Sequence, residues 1–357
     1  MKIKRIIVKP KQYNFVKPVF TSQGKLERRE IISVKFLNEK GDCGTGGAYP
    51  LPPFTEDVKS IIGEARSRAA QLEETNFDSF EEFSDFLLSL NKIHPTLLFA
   101  FESAFINLLI EADEITELQF IKRIRSAPIK LNALISEEDT SKFFQSAEEA
   151  VQRGFNTLKI KLGFSAFENE LIRIGFLNNL SDDIKLRLDI NGAWNFEEAQ
   201  KKIERLTQFN VEYVEDPTNS FEDNLKLAKL FPGNVAFDQT AKGIKEIKLI
   251  AENKSVLILK PAFSGSLRRS LEVIDLFNEK GAKLIISSAF EDATGREINY
   301  ALASLLSPEI THGLNTQNVL IEDSIEPYEK NGNRILFSKE IFLRKGKCEE
   351  AGGKRET

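Results

Sequence analysis

Polar residues recur at one kind of place in this sequence, the carboxyl end of a short apolar run. The run 156–162 carries Lys159 and Lys161, 184–190 carries Asp189, and 211–215 ends in Glu215. The run 234–238 ends in Asp238, 255–260 in Lys260, and 283–287 in Ser287, with Ser288 next. If these runs are strands of one parallel barrel, their carboxyl ends share a rim, where barrel enzymes keep their chemistry. Asp189, Glu215 and Asp238 are each about one strand-helix unit apart, which places their oxygens close together on three adjacent strands. Clustered carboxylates repel one another and need a cation. Hard oxygen donors with no nearby His or Cys favour Mg²⁺, with Mn²⁺ as the alternative. Lys159 and Lys161 lie two apart on a strand and so point to the same side. Lys260 lies across the barrel from them. A cation on three carboxylates can bind a substrate carboxylate and stabilise the enediolate formed when the α-proton leaves. The base must be a neutral lysine, and an ordinary lysine, at ~10.4, is too basic. A second cation, the metal and burial all lower that value, and Lys161 beside Lys159 meets the requirement.

Singly, each of these residues has an ordinary explanation. An Asp at a strand end often caps the next helix, and a lone Lys-x-Lys is usually a solvated face. Six successive runs ending this way form a set that helix capping does not explain. Composition narrows the remaining chemistry. The chain has two histidines, His94 and His312, and two cysteines, Cys43 and Cys348, so it has neither a His-rich metal site, a Cys-based zinc site nor a disulfide scaffold. His312 reads as structural, and His94, before Pro95, as a surface or helix-start residue. A net charge of -5 argues against a nucleic-acid partner and against attraction to an anionic membrane. The most apolar stretch, 97–110, is interrupted by Glu102, Ser103 and Asn107 and reads as a buried helix rather than a span. The basic N-terminus lacks a signal-peptide apolar region. A cytoplasmic location is expected.

The elements that would position these residues fall into two sets. The first third reads as α+β, with a strand at 29–37, a hairpin turn at 38–41, and helices near 57–72, 79–90 and 95–110. From about residue 128, apolar runs at 130–135, 156–162, 184–190, 211–215, 234–238, 255–260, 283–287 and 309–314 alternate with amphipathic helices. Ser165 with Glu168, and Asn195 with Glu198, have capping-box spacing. Eight strands at a period near 25 residues imply a closed barrel. The last ten residues read as a disordered tail.

At this point the sequence resembles a known family. Lys159-Ile160-Lys161, Asp189-Ile190-Asn191, Val214-Glu215-Asp216-Pro217, Asp238 and Lys260-Pro261 are similar to the motifs of the enolase superfamily, muconate-lactonizing-enzyme branch. Thr21-Ser22-Gln23-Gly24, 50–54, 186–194 and 286–291 carry the likeness further, to the o-succinylbenzoate synthase family. It runs from about residue 15 to 325. The resemblance implies a (β/α)₇β modified TIM barrel over 126–320, under an α+β capping domain built from 1–125 and the C-terminal segment 321–357. It implies a lyase that dehydrates 2-succinyl-6-hydroxy-2,4-cyclohexadiene-1-carboxylate to o-succinylbenzoate on the way to menaquinone. The partner is a small-molecule carboxylate, and the oligomeric state is left open. By this likeness Lys161 is the base and later the acid, Lys260 a cationic stabiliser, and Lys159 tunes Lys161 and touches the substrate carboxylate. Asp189, Glu215 and Asp238 hold the metal, with Asn191 and Gln239 behind them. Arg187, Ser287, Ser288, Glu291, Thr21 and Ser22 support or shape the substrate pocket, and 21–24 and 50–54 close over it. Gln23, Gly47 and Gln239 depart from the family pattern, where Arg, Glu and Glu are common. The rival readings are an N-acylamino-acid racemase and a dipeptide epimerase. The second is disfavoured because 313–316 reads Gly-Leu-Asn-Thr, without the Asp-x-Asp that such epimerases typically carry.

Overall fold

The first third of the chain is organised by one long hairpin. In the computed structural model, which describes residues 1–21, 24–90, 92–115, 118–317, 319–321, 323 and 328–346, β1 (Arg5–Thr21) pairs antiparallel with β2 (Gly24–Leu37). β3 (Cys43–Ala48) adds to the other edge of β2. The turn between β2 and β3 is closed by Asn38, whose side-chain oxygen accepts from the amides of Lys40 at 3.0 Å and Asp42 at 2.9 Å. The expected strand and hairpin turn are thus present, and β1 and β3 are additions. β3 reads Cys-Gly-Thr-Gly-Gly-Ala, which carries no strand propensity. Its glycines answer a packing demand. A Cβ on Gly44 or Gly46 would lie 2.1 or 2.0 Å from the carbonyl oxygens of Ala104 and Ala100. Those carbonyls belong to α3 (Pro95–Glu111), which therefore rests directly on the sheet backbone.

α1 (Val58–Leu72) starts at Asp57, which accepts from the amides of Lys59 and Ser60. α2 (Phe80–Ser89) starts at Ser79, which caps the Glu82 amide. Phe77, Phe83 and Phe105 form an aromatic core between these helices and α3, with Phe83 stacked on Phe105 at 4.2 Å. α3 is apolar all round because it is covered on both sides, by β3 and by the barrel helices. Its fully buried Glu102 accepts from Ser84 of α2, from Ser266 at 3.0 Å and from the Leu267 amide. One carboxyl group thus joins both helices to the barrel.

The second set of elements is a closed barrel. β5 (Ala133–Ile135), β6 (Thr157–Lys161), β7 (Lys185–Asp189), β8 (Val211–Glu215), β9 (Val235–Phe237), β10 (Val256–Leu259) and β11 (Lys283–Ile286) form one parallel sheet in that order. β12 (Thr311–His312) joins its ends. Gly313 bridges Ser287 on one side, and Thr311 and His312 pair with Lys130 and Leu131 of β4 (Ile129–Leu131) on the other. β4 runs through Asn132 into β5. Helices α4 (Thr140–Gln152), α5 (Phe167–Asn178), α6 (Phe196–Leu206), α7 (Phe221–Leu230), α8 (Ile244–Glu252), α10 (Leu267–Lys280) and α11 (Ala293–Ala303) separate the strands, with a single turn α9 (Pro261–Ser264) after β10. This is the (β/α)₇β order expected. The capping box at Asn195 and Glu198 is present on α6. The one at Ser165 is absent, because α5 begins at Phe167 behind an Ala166 cap, and Glu168 pairs with Arg205 instead.

Beyond the barrel, Val16 and Ile321 exchange backbone bonds with Val319 and Asn14, so this stretch runs beside β1. β13 (Lys330–Asn331) and β14 (Arg334–Ile335) form a hairpin on β4, and α12 (Lys339–Phe342) packs on α11. Cys348 and the tail lie outside the described residues. Among the described residues, no helix is long and apolar enough to cross a membrane.

The barrel floor is charged. A register shift where β7 meets β8 turns Glu212 inward, towards Arg187 at 2.7 Å and Lys283 at 2.9 Å. Burial alone would raise the Glu212 pKa, but Arg187 and Lys283 outweigh it and hold it down at about 2. His312 is buried beside them, its Nδ1 accepting from the Ile286 amide at 3.1 Å, and burial pushes its pKa down to about 3. It is a neutral structural histidine, as expected.

Two outcomes follow. Glu102→Ala should cost about 3 kcal/mol in urea unfolding, because three buried donors lose their acceptor, whereas Glu102→Gln should cost less. Glu212 is more acidic folded than unfolded, so its stabilisation is full above pH 4.5 and is lost as pH falls towards 2. Unfolding followed between pH 5 and 2 should therefore show a decline that Glu212→Gln flattens, the variant being weaker at pH 7 by roughly 2–3 kcal/mol.

Candidate active site

The strand register builds the site. Lys161 of β6, Asp189 of β7 and Glu215 of β8 are Cα partners across three adjacent strands, at the carboxyl ends. Side chains in one register row of a parallel sheet point to the same side. Lys159, Arg187 and Tyr213 form the row beneath. Lys159 reaches up from that row. Its Nζ lies 2.8 and 2.7 Å from the two Glu215 oxygens and 3.0 Å from Asp189 Oδ2. Asp238 directly follows β9 and pairs with Lys260, which directly follows β10. Lys161 and Lys260 therefore stand on opposite sides of the carboxylate arc.

The three lysines do not share one electrostatic state. Burial opposes charge on Lys159, but Asp189 and Glu215 outweigh it and hold the ammonium well above the ordinary range. Burial likewise opposes charge on Lys260, and Asp238 outweighs it. Lys161 moves the other way. Burial lowers it, Asp189 opposes, and Lys159 and Lys260 add to the lowering. When environments separate like groups in this way, acid and base roles separate with them. Glu215 is almost wholly buried, and burial and Asp189 push its pKa up against the pull of Lys159.

Other expected residues take the following places. Asn191 donates to Asp189 Oδ1 at 2.7 Å, and Gln239 approaches the Asn191 oxygen at 3.5 Å. Ser287 faces the barrel interior in the row above Ile285. Ser288 donates to Glu291, which is fully buried and also accepts from the Ala289 amide at 2.9 Å. These two order the loop after β11. Arg187 is fully buried and engaged with Glu212, Asn132 and the Thr311 carbonyl, so it acts on the barrel floor, beneath the mouth. Thr21 ends β1, and Ser22 and Gln23 lie outside the described residues. Gly47 has a local reason: a Cβ there would lie 2.2 Å from the Tyr49 hydroxyl, which donates to Asp292 at 2.6 Å.

The oxygens of Asp189, Glu215 and Asp238 do not converge as the sequence suggested. Among the described residues, no group of three His, Cys, Asp or Glu side chains stands ready to hold an ion. The ammonium of Lys159 fills the space between Asp189 and Glu215, and Lys260 takes Asp238. The donor set still suits a hard cation, since an ammonium already bridges two of its carboxylates.

Sequence reasoning missed three supports. Asp216, in the bend after β8 at φ +39°, accepts from the Gln239 amide at 2.7 Å, the Thr240 amide at 3.3 Å and the Thr240 hydroxyl. It ties the loop after β8 to the one carrying Asp238. Its place between Glu215 and Pro217 was the available signal. Glu170 fixes the loop after β6 by accepting from the Gly163 amide at 2.6 Å. Arg29 of β2 is buried and donates to the carbonyls of Tyr49 at 2.7 Å, Pro50, Ala289 at 3.1 Å and Phe290 at 3.2 Å. It fastens the 50–54 segment to the barrel rim, and nothing in its sequence neighbourhood announces it.

Residues 142–330, more than half of the chain, match the family described as enolase C-terminal domain-like. The chain belongs to the enolase superfamily. Membership of that superfamily, together with relatives named as synthases, marks the chain as an enzyme. An o-succinylbenzoate synthase of Desulfotalea psychrophila is 25% identical over 335 residues, covering 85% of this chain and 90% of that protein. The chloroplastic protein PHYLLO of Arabidopsis thaliana is 23% identical over 336 residues, 83% of this chain, and the chain spans 20% of its length. The dipeptide epimerase of Enterococcus faecalis V583, solved with Mg and the dipeptide L-Leu-L-Tyr, superimposes at a TM-score of 0.81 and 19% identity, over 94% of this chain and 97% of that one. This likeness speaks for the fold alone.

Asp216→Ala should cost about 2–4 kcal/mol in urea unfolding, since it leaves two amides and a hydroxyl without their acceptor in a buried bend. A loss below 0.5 kcal/mol would show that the bend holds without it.

Proposed function

We propose that this enzyme is an o-succinylbenzoate synthase that dehydrates 2-succinyl-6-hydroxy-2,4-cyclohexadiene-1-carboxylate. The observation that carries the reading is the register row Lys161, Asp189 and Glu215, with Lys260 facing it across the mouth. The 25% identical synthase, matched over most of both chains, supports the choice of substrate. The same reading carries a step of menaquinone biosynthesis and a cytoplasmic location.

Asp189, Glu215 and Asp238 would hold Mg²⁺, with Asn191 orienting Asp189 and Asp216 fixing the loop that bears Asp238. When bound, the ion supplies positive charge to the substrate carboxylate and acidifies the neighbouring carbon. Lys161, held neutral more readily than its neighbours, takes the proton from the carbon bearing that carboxylate. The electron pair of the broken C–H bond is held first on the substrate carboxylate, as an enediolate anion, and then forms a ring double bond as the C–O bond to the hydroxyl breaks. The ammonium of Lys161 then gives its proton to the departing hydroxide on the same face. Water leaves, Lys161 returns to its starting state, and the ring becomes aromatic. Lys260 stays charged and faces the ring from the other side, where it stabilises the anionic intermediate.

A second reading is favoured by the same opposed lysines. An N-acylamino-acid racemase or dipeptide epimerase needs one base to remove a proton and another to return it from the opposite face. The stretch 313–316 offers no carboxylate for a substrate amine, which weighs against the epimerase.

Conversion of the cyclohexadiene carboxylate, followed spectrophotometrically, should require Mg²⁺ and fall at least 10³-fold, a loss of about 4 kcal/mol in transition-state stabilisation, in Lys161→Ala. A folded, metal-loaded protein without conversion would sink the synthase reading. α-Proton exchange of N-acylamino acids in heavy water would then test the racemase. A readout free of turnover is available in Lys159→Met. Losing the ammonium leaves Asp189 and Glu215 uncompensated, so the variant should melt several degrees lower in chelator and regain most of that loss with Mg²⁺.

A further inference from the structure

Leu134 is a large apolar side chain, 42% exposed, in the middle of β5. Its flanking residues Ala133 and Ile135 are each only 3% exposed and face the surrounding helices. Leu134 is the Cα partner of Lys159. Lys159 points into the barrel, since its ammonium reaches Glu215 and Asp189, so Leu134 points inward as well. Asn132, two residues earlier on the same side, confirms the direction by accepting from Arg187 on the floor. An inward-facing side chain of a closed barrel meets solvent only through an open end. Arg187 starts in the same row as Leu134 but turns its guanidinium down to Asn132 and Glu212, where Lys283 also pairs, so the floor is filled and the opening is the mouth.

The mouth is divided by strand order. The carboxylates stand on β7 to β9 and the lysines on β6 and β10. Leu134 stands on β5, beyond Lys159 and Lys161 and away from the carboxylates. A substrate whose carboxylate lies over Asp189 and Glu215, with its reacting carbon between Lys161 and Lys260, has its remaining skeleton free to reach β5. Exposed leucine there is costly in water and gains by covering.

We propose that Leu134 is a specificity-determining residue, the apolar wall against which the non-reacting carbon skeleton of the substrate packs. This rests on the reading of the lysine-carboxylate mouth as the active site, and it adds that the enzyme selects a carboxylate with a carbocyclic or similarly apolar body. Because Leu134 is exposed, its replacement leaves the barrel core intact.

The test uses the full chain with Mg²⁺. Calorimetry would compare o-succinylbenzoate with succinate, which is also a dicarboxylate but lacks the ring, in the wild type, Leu134→Asn and Leu134→Met. The expected result is a loss of about 5–10-fold in affinity for o-succinylbenzoate in Leu134→Asn, little change for succinate, and near wild-type values in Leu134→Met. Equal affinity for o-succinylbenzoate in wild type and Leu134→Asn would overturn the proposal. A wild type that does not bind o-succinylbenzoate would overturn the synthase reading instead. Leu134 would then be judged by proton exchange of N-acetyl-leucine against N-acetyl-alanine. A reduced preference for the larger side chain in Leu134→Asn would support it, and an unchanged preference would overturn it.

Discussion

Like charges must be held together where water is scarce. Asp189, Glu215 and Asp238 share the mouth with Lys159, Lys161 and Lys260, and the Glu215 side chain is almost out of solvent. Desolvating such groups costs several kcal/mol each, and mutual attraction offsets this only if the geometry is fixed. Parallel strand ends supply that fixity. Their side chains are aimed by the register, and the register is held by backbone bonds along the sheet. The remaining supports work on the loops just beyond. Asn191, Asp216 and Phe290 all hold positive φ, at 52°, 39° and 60°, in the loops after β7, β8 and β11. Backbone strain of this kind persists only where the surroundings over-determine it. Here they do, through the contacts of Asp216 with Thr240 and Gln239 and of Arg29 with Phe290.

The barrel was legible because its signals are local and repeated. Each strand is a short apolar run, each ends in a polar residue, and the helices between them show an apolar stripe. All eight runs found strands, and Lys161, Lys260 and the three carboxylates lie at a strand end or directly after one, while Lys159 sits in the middle of β6. The cap was less legible. β1 mixes Lys, Pro and aromatic residues without clean alternation, because most of its length beyond Val8 is exposed or only partly covered. β3 is made of glycines chosen by the α3 backbone, a demand set by residues some 55 positions away in the chain. Arg29 is hidden for the same reason. Its acceptors are carbonyls at 49, 50, 289 and 290, and a carbonyl has no residue type to read.

The lysines and carboxylates named from the sequence share one barrel mouth, but their geometry there differs from the one expected. Strand spacing predicts which residues face the mouth, and it predicted that three carboxylates would meet at one point. The structure instead closes each carboxylate on a lysine. The reason is electrostatic. An ammonium on a flexible stem is the nearest available cation, and three neighbouring carboxylates will draw it in. Spacing says where Cα atoms lie, whereas the partner of a buried charge is decided by all the charges around it. Arg187 makes the same point. It shares a row with Lys159, yet the inward turn of Glu212 draws its guanidinium down to the floor.

These arrangements divide the barrel by function. The arc from β6 to β10 carries the charged groups, and Lys159, Lys260 and the three carboxylates are committed to one another. A change there alters the charge balance of the whole mouth, so that arc is chemically constrained. The arc from β11 through β12 to β5 carries Ser287, Gly313 and Leu134, which are small or neutral and can change without disturbing any ion pair. A scaffold built this way can keep proton abstraction beside a carboxylate while its substrate body varies. Structures of closely similar shape could then differ in the molecule they accept, through residues that neither hold a cation nor move a proton. On the function proposed above, reaction type lies in the register of β6 to β10, and substrate choice in the residues that close the circle.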